Sequence, residues 1–164
     1  MQKIKIVWLC HFSNSIVREQ MPLSNNFFEN IIRKIFKKDK KAYRDFAPWV
    51  NNLILEFEKM EDIELHIIAP HKGLKKIKYT FTLNNVYYHF FSPQLPFPFE
   101  YLKKYLRKKE NETFTRNRRI IGELIQRIQP DIVNLIGAEN PYYAIAALYI
   151  QHIPVYLSAQ TVYS

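Results

Sequence analysis

The side chains best able to do chemistry in this 164-residue chain stand just after its apolar runs. His11, Ser13 and Asn14 follow Ile6-Val7-Trp8-Leu9-Cys10, and His71 follows Ile67-Ile68-Ala69-Pro70. In open α/β sheets, ligands bind in the loops at the carboxyl ends of the strands. His11 and His71 therefore either touch a substrate or finish a turn, and residue type alone leaves both readings open. His66 and His89 lie within apolar segments, where a hydrogen-bonded structural histidine is the simpler reading. None of the histidines has the paired spacing of metal ligands, so no metal is expected. Cys10, the single cysteine, lacks a disulfide partner and reads as a packing residue.

Three familiar chemistries find no motif. No Gly-x-Gly-x-x-Gly follows the first strand, no Gly-Lys-Ser/Thr phosphate loop occurs, and no Gly-x-Ser-x-Gly nucleophile turn is present. No cofactor is expected.

The elements that must position these groups follow from periodicity. Lys3 to Cys10 alternates and then becomes continuously apolar, as a strand entering mid-sheet does. Asn26-Phe27-Phe28-Glu29 resembles a capping box and predicts a helix to about Lys38. Asp45 is placed to cap a second helix, with Phe46, Trp49, Val50, Leu53, Ile54, Phe57 and Met60 as one apolar stripe. Ile63 to Ala69 reads as the second strand. Ile77 to Leu83 and Val86 to Phe91 read as a hairpin joined at Asn84-Asn85. The prolines of Ser92 to Pro98 predict an extended connector, followed by a basic helix from about Phe99 and a longer helix over Phe114 to Ile128.

Arg127 to Gln160 reads as a complete strand, helix, strand unit. Ile132-Val133-Asn134-Leu135-Ile136 is apolar enough for a parallel strand covered on both faces. Gly137 follows, then Asn140 as a helix cap and Pro141 at the first helical position. The helix is predicted over Tyr142 to Gln151, with a return strand over Ile153 to Ser158. The whole reads as a single α/β domain over residues 1–164: a Rossmann-like three-layer fold, with a mostly parallel central sheet, helices on both faces and an added β-hairpin.

The formal charge of +9 is concentrated. Arg33 to Arg44 holds seven Lys or Arg against Asp39, and Leu102 to Arg119 holds eight against Glu110 and Glu112. Such stretches are either solvated helix faces or surfaces for anionic lipid, phosphorylated ligands or nucleic acid. No apolar run reaches the ~18 residues of a membrane helix, and Met1-Gln2-Lys3 leads directly into a strand. A cytoplasmic location is expected.

In this order the segments resemble the amino-terminal half of a family 4-type glycosyltransferase of the GT-B architecture. Lys5 to Leu9 with its polar loop is similar to the family's opening strand and acceptor loop. Asn52 to Met60 followed by Ile63 to Pro70 resembles its helix and proline-ended strand, and Val86 to Phe91 leading to Leu95-Pro96 resembles its short strand and connector. Gln129 to Tyr142 resembles its "proline, aspartate, hydrophobic strand, polar residue, glycine" segment, and Ile153 to Ser158 the next strand. Two departures imply a divergent acceptor site: Phe12-Ser13-Asn14 replaces a common Gly-Gly, and Ser158-Ala159-Gln160 replaces a common histidine.

The resemblance implies a retaining transfer of sugar from a nucleotide-sugar donor to a saccharide or lipid-linked acceptor in cell-envelope polysaccharide synthesis. It implies that the donor binds a second Rossmann-like domain not contained in this chain, which alone transfers no sugar. Catalytic residues are not assigned. Ser13, Asn14, Glu139, Asn140 and Gln160 are the implied acceptor contacts, joined by His11 and His71. Asn140 has capping as its alternative role, and Glu139 a structural role beside a helix start. The basic stretches Arg33 to Arg44 and Lys103 to Arg119 would then meet an anionic inner-membrane surface, with Tyr101, Tyr105 and Phe114 at headgroup level. Two rivals stay open: a stand-alone nucleotide- or flavin-binding doubly wound domain, and a basic nucleic-acid-binding module. No signature of specific nucleic-acid recognition is present.

Overall fold

The computed structural model describes residues 3–24, 45–93 and 114–158. The predicted helix over Asn26 to Lys38, the basic helix from Phe99, residue Gln160, the stretch Arg33 to Arg44 and most of Lys103 to Arg119 lie outside the described residues.

The described chain runs β1 (Ile4–Leu9), α1 (Ser15–Glu19), α2 (Pro48–Phe57), β2 (Ile63–Pro70), β3 (Lys78–Leu83), β4 (Val86–Phe91), α3 (Thr115–Ile128), β5 (Ile132–Ile136), α4 (Pro141–Ala147) and β6 (Val155–Ser158). The strands form one six-stranded sheet in the order β3-β4-β2-β1-β5-β6. β1 pairs in parallel with β2 and β5, β2 with β4, and β5 with β6, while β3 alone is antiparallel. The protein is thus α/β, with a mostly parallel sheet compatible with a Rossmann-like fold. The strands near Val7, Ile67, Val133 and Val155 lie side by side and point one way, as the apolar runs imply.

Alternation along each strand splits the core into two layers. Trp8, Leu65, Ile67, Tyr88 and Phe90 pack with Phe12 and with Val50 and Ile54 of α2. Val7, Leu9, Ile68, Phe91, Val133 and Leu135 pack beneath Ile120, Ile121, Leu124, Ile125 and Ile128 of α3 and Tyr143 and Ala146 of α4. The three- and four-residue spacing of the α3 set places it on one face. Gln129 ends that helix in the left-handed region at φ 51° while its N–H still reaches the Ile125 carbonyl at 2.8 Å. Pro130 then prevents continuation.

The hairpin turn has the expected chemistry. Asn84 and Asn85 adopt φ 48° and 63°, the left-handed pair that suits the twist of flanking strands. The hairpin's second strand is more than an appendage, since β4 is inserted between β3 and β2 and carries the buried Tyr88, Phe90 and Phe91.

Four local readings need correction. The polar loop after β1 contains helix α1, whose five residues are too few for periodicity to reveal. Asp45 caps no helix: α2 starts at Pro48 behind Ala47, which has no side-chain cap, and Asp45 instead pairs with Arg18 at 2.7 Å. The apolar stripe of α2 is narrower than expected, with Val50 and Ile54 buried and Phe46, Trp49, Leu53 and Met60 exposed. Finally, α4 stops at Ala147 rather than Gln151. Tight turn bonds from Tyr149 to Ala146 and from Ile150 to Ala147 take over, His152 adopts φ 63°, and β6 starts at Val155 rather than Ile153.

Candidate functional site

From β1 the chain moves outward through β2 to the β3–β4 hairpin, then crosses back through α3 to β5 on the other side of β1. The order therefore reverses between β1 and β5. Loops leaving two such strands diverge to opposite faces, which opens a crevice at their carboxyl ends. Here the diverging loops are His11 to Asn14 and Gly137 to Asn140.

Asn140 joins them. Its Oδ1 accepts from the Tyr142 N–H at 3.1 Å and caps α4, leaving Nδ2 to face His11 Nδ1 at 3.4 Å. The amide orientation makes Nδ2 the donor, so His11 carries its proton on Nε2. The His11 ring also lies against Phe46 with centroids 4.5 Å apart. Burial lowers its pKa, and the charge of Lys72 lowers it further. A neutral imidazole with its proton on Nε2 is the result.

His71 closes the β2 side of the crevice. It is buried, and its Nδ1 accepts from the Gly73 N–H at 3.2 Å. Burial, with the charges of Arg18 and His11, takes its pKa down to about 4. It therefore finishes the turn as a neutral ring.

Ser13 and Asn14 are placed at the rim but largely occupied. Ser13 exchanges backbone hydrogen bonds with Phe46, and its Oγ accepts from Arg18 Nη1 at 2.8 Å. Asn14 Oδ1 caps α1 by accepting from the Val17 N–H at 2.8 Å, while Nδ2 donates to Asn51 Oδ1. Arg18 thus links Ser13 to Asp45 and secures the β1 loop. Sequence reasoning missed Arg18, Lys72 and Phe46; the Asn14-Ser15 cap pattern was the available signal for the helix that presents Arg18.

On the β5 side, Gly137 has φ 79°, and a Cβ there would meet Tyr143 Oη at 2.9 Å and Glu139 Oε1 at 3.0 Å. Glycine satisfies both the left-handed backbone and the close approach. The Tyr143 hydroxyl sits between the Ile136 and Gly137 carbonyls at 2.6 and 2.9 Å, and burial pushes its pKa up. It fixes the turn that presents Glu139, which is exposed. Lys72 Nζ stands 5.5 Å from the Tyr142 ring centre and borders the same crevice.

The arrangement offers hydrogen-bond donors and acceptors but no activated nucleophile. Ser13 Oγ faces a guanidinium rather than a base. Cys10 is fully buried, with its thiol pKa raised by that burial. The rim is therefore suited to positioning a polar ligand. A groove of about 640 Å³ lies between α3 and α4, lined by Ile121, Ile125, Ile150 and Ile153. It adjoins Pro130 and Ile153, which lead into β5 and β6, and so sits at the opposite end of the strands from His11 and Asn140. Compared with known protein families, characterised proteins and solved structures, the chain matches none.

Proposed function

We propose that this domain is the acceptor-binding half of a retaining GT-B glycosyltransferase, holding a saccharide or lipid-linked acceptor in the crevice between β1 and β5. The observation that carries the reading is the meeting of the two strand-end loops through His11 and Asn140 at the reversal of strand order. Sugar hydroxyls both donate and accept. His11 Nε2–H supplies a donor to one hydroxyl and the exposed Glu139 carboxylate an acceptor for another, while the flat ring of Phe46 lies against His11. Held between fixed partners, an acceptor hydroxyl gains much of its reactivity from orientation alone.

Binding of oligosaccharides and diphosphate-linked saccharides, followed by calorimetry, tests the proposal. His11→Ala and Glu139→Ala are each expected to weaken binding about tenfold, on the order of one hydrogen bond of 1–1.5 kcal/mol. The chain by itself is expected to transfer no sugar, and turnover by the isolated chain contradicts its assignment as an acceptor half.

Contact with an anionic membrane belongs to the same proposal. No described helix is long and apolar enough to cross a bilayer. Arg116, Arg118 and Arg119 stand in the first turns of α3, and Arg118 lies 4.5 Å from the Tyr149 ring centre. Beside Tyr149, Leu148 is 82% exposed. A cation, an aromatic ring and an exposed aliphatic side chain together suit the headgroup boundary. Greater co-sedimentation with anionic than with neutral vesicles is expected, and equal recovery contradicts it.

A further inference from the structure

Away from the crevice, four polar side chains make an unbroken line across the sheet. Thr80 Oγ1 of β3 is 3.0 Å from His89 Nδ1, and His89 Nε2 of β4 is 3.0 Å from His66 Nδ1. His66 Nε2 of β2 is 2.8 Å from Glu64 Oε1. Both histidines are buried, at 6% and 4% exposure, and their ring planes are parallel to within 13°. Thr80 is exposed and Glu64 half-buried, so both ends of the line reach water.

The chemistry of these atoms fixes the direction of every bond. A carboxylate only accepts, so His66 carries a proton on Nε2. With that ring neutral, its Nδ1 is an acceptor and His89 must carry its proton on Nε2. His89 Nδ1 then accepts from the Thr80 hydroxyl. All donors point toward Glu64, and no polar atom of either ring is left unpaired.

We propose that this line is a one-proton relay, able to take up a single proton from water and reverse the two bonds between Thr80 and His66 without losing a hydrogen bond. A hydronium ion at the exposed edge gives its proton to Thr80 Oγ1 as the threonine passes its own proton to His89 Nδ1. The His89 Nε2 proton moves to His66 Nδ1, and one water molecule is released. Thr80 remains a neutral hydroxyl, now accepting from His89 Nδ1–H. His89 remains neutral in its other tautomer, and His66 becomes an imidazolium between Glu64 and His89. A second proton has no place, because two N–H groups would then face each other across 3.0 Å.

The surroundings favour charge on His66 rather than on His89. Glu64 of β2 lies against His66, while Tyr87 of β4 stacks on it with centroids 4.7 Å apart. Lys5 of β1, 4.0 Å from Glu64, and Arg127 of α3 oppose the added charge. Burial holds both rings below the ordinary histidine range, His89 down to about 3. The relay is therefore empty at neutral pH and loads on acidification below the ordinary histidine range.

Nitrogen spectra of the ring-labelled chain across pH 7.5 to 4 test this. At pH 7.5 both rings are expected with protons on Nε2. On acidification, His66 is expected to become an imidazolium while His89 changes from its Nε2–H to its Nδ1–H tautomer in the same step. Thr80→Val, which removes the final acceptor, is expected to shift that step to lower pH, and Thr80→Ser to restore it. Independent titration of the rings, an unchanged His89 tautomer, or an unaltered step in Thr80→Val would each overturn the relay.

Discussion

Asn140 Nδ2 and His11 Nδ1, 129 positions apart in sequence, approach to 3.4 Å where the loops after β5 and β1 meet. One side chain thereby does two things: its oxygen caps α4, and its amide fixes the tautomer of the ring that faces the crevice. The two roles are separable by substitution.

Asn140→Ala is expected to destabilise the fold by about 1 kcal/mol through the lost cap and to release the His11 ring. Asn140→Ser restores a capping oxygen but cannot supply the amide donor. Urea unfolding of the serine variant should approach that of the parent, while its saccharide affinity stays as weak as that of the alanine variant. Equal affinity of the serine variant and the parent would assign Asn140 to capping alone.

The turn at Gly137 gives a coupled pair. Tyr143→Phe removes the hydroxyl donor shared by the Ile136 and Gly137 carbonyls, the latter keeping the Asn140 N–H at 3.3 Å, and is expected to cost about 1–3 kcal/mol. Gly137→Ala incurs left-handed strain and a clash with the Tyr143 hydroxyl 2.9 Å from the new carbon. In the Tyr143→Phe background the clash disappears and the strain remains, so the two costs should sum to more than that of the double variant. Strict additivity in urea unfolding would contradict the described contact.

Protonation links the histidines to stability. His11, His66, His71 and His89 all have folded pKa values below the ordinary 6.5, with His71 at about 4 and His89 at about 3. The unfolded chain therefore binds more protons than the folded one below pH 6.5. Stability supplied by these neutral rings is complete above that pH and is lost as the pH falls toward 4 and below. Chemical unfolding at pH 7.5, 6, 5 and 4 should show a monotonic fall, and His71→Gln should flatten the part between 6.5 and 4. A curve that rises on acidification would contradict the burial of neutral histidine.

Arg18 supplies a test of the electrostatics. Its guanidinium bridges Ser13 and Asp45 and lies near enough to His71 to disfavour a second cation. Arg18→Ala should raise the His71 pKa, followed by proton resonances of the ring, and lower stability by about 1 kcal/mol, as expected for a partly exposed ion pair. An unmoved His71 titration would mean that burial and His11, not Arg18, set its value.

How much of this was legible beforehand depended on which interaction fixed each element. The strands around Val7, Ile67 and Val133 were readable because burial on both faces demands continuous apolar sequence. Asn84-Asn85 was readable because few residues tolerate paired left-handed conformations. Helix α1 was not, since five residues make too short a pattern and Asn14, which caps it, read only as a ligand group. Asp45 misled for a related reason: a capping residue type lay near a helix start, but a cation from α1, distant in sequence, claimed the carboxylate. The rim containing His11, His71, Glu139 and Asn140 followed from strand direction. The neutral state of the histidines and the engagement of Ser13 by Arg18 did not, because both depend on groups brought together by the fold.

The central claim is that a saccharide binds where the β1 and β5 loops meet, and amide spectra recorded during titration with oligosaccharides and diphosphate-linked saccharides test it most directly. Perturbations are predicted to cluster at residues 11–14, 45–46, 71–73 and 137–140, and to need about tenfold more saccharide when Glu139 is replaced by alanine. Perturbations confined to the α3–α4 groove, or none with any saccharide, would contradict the account.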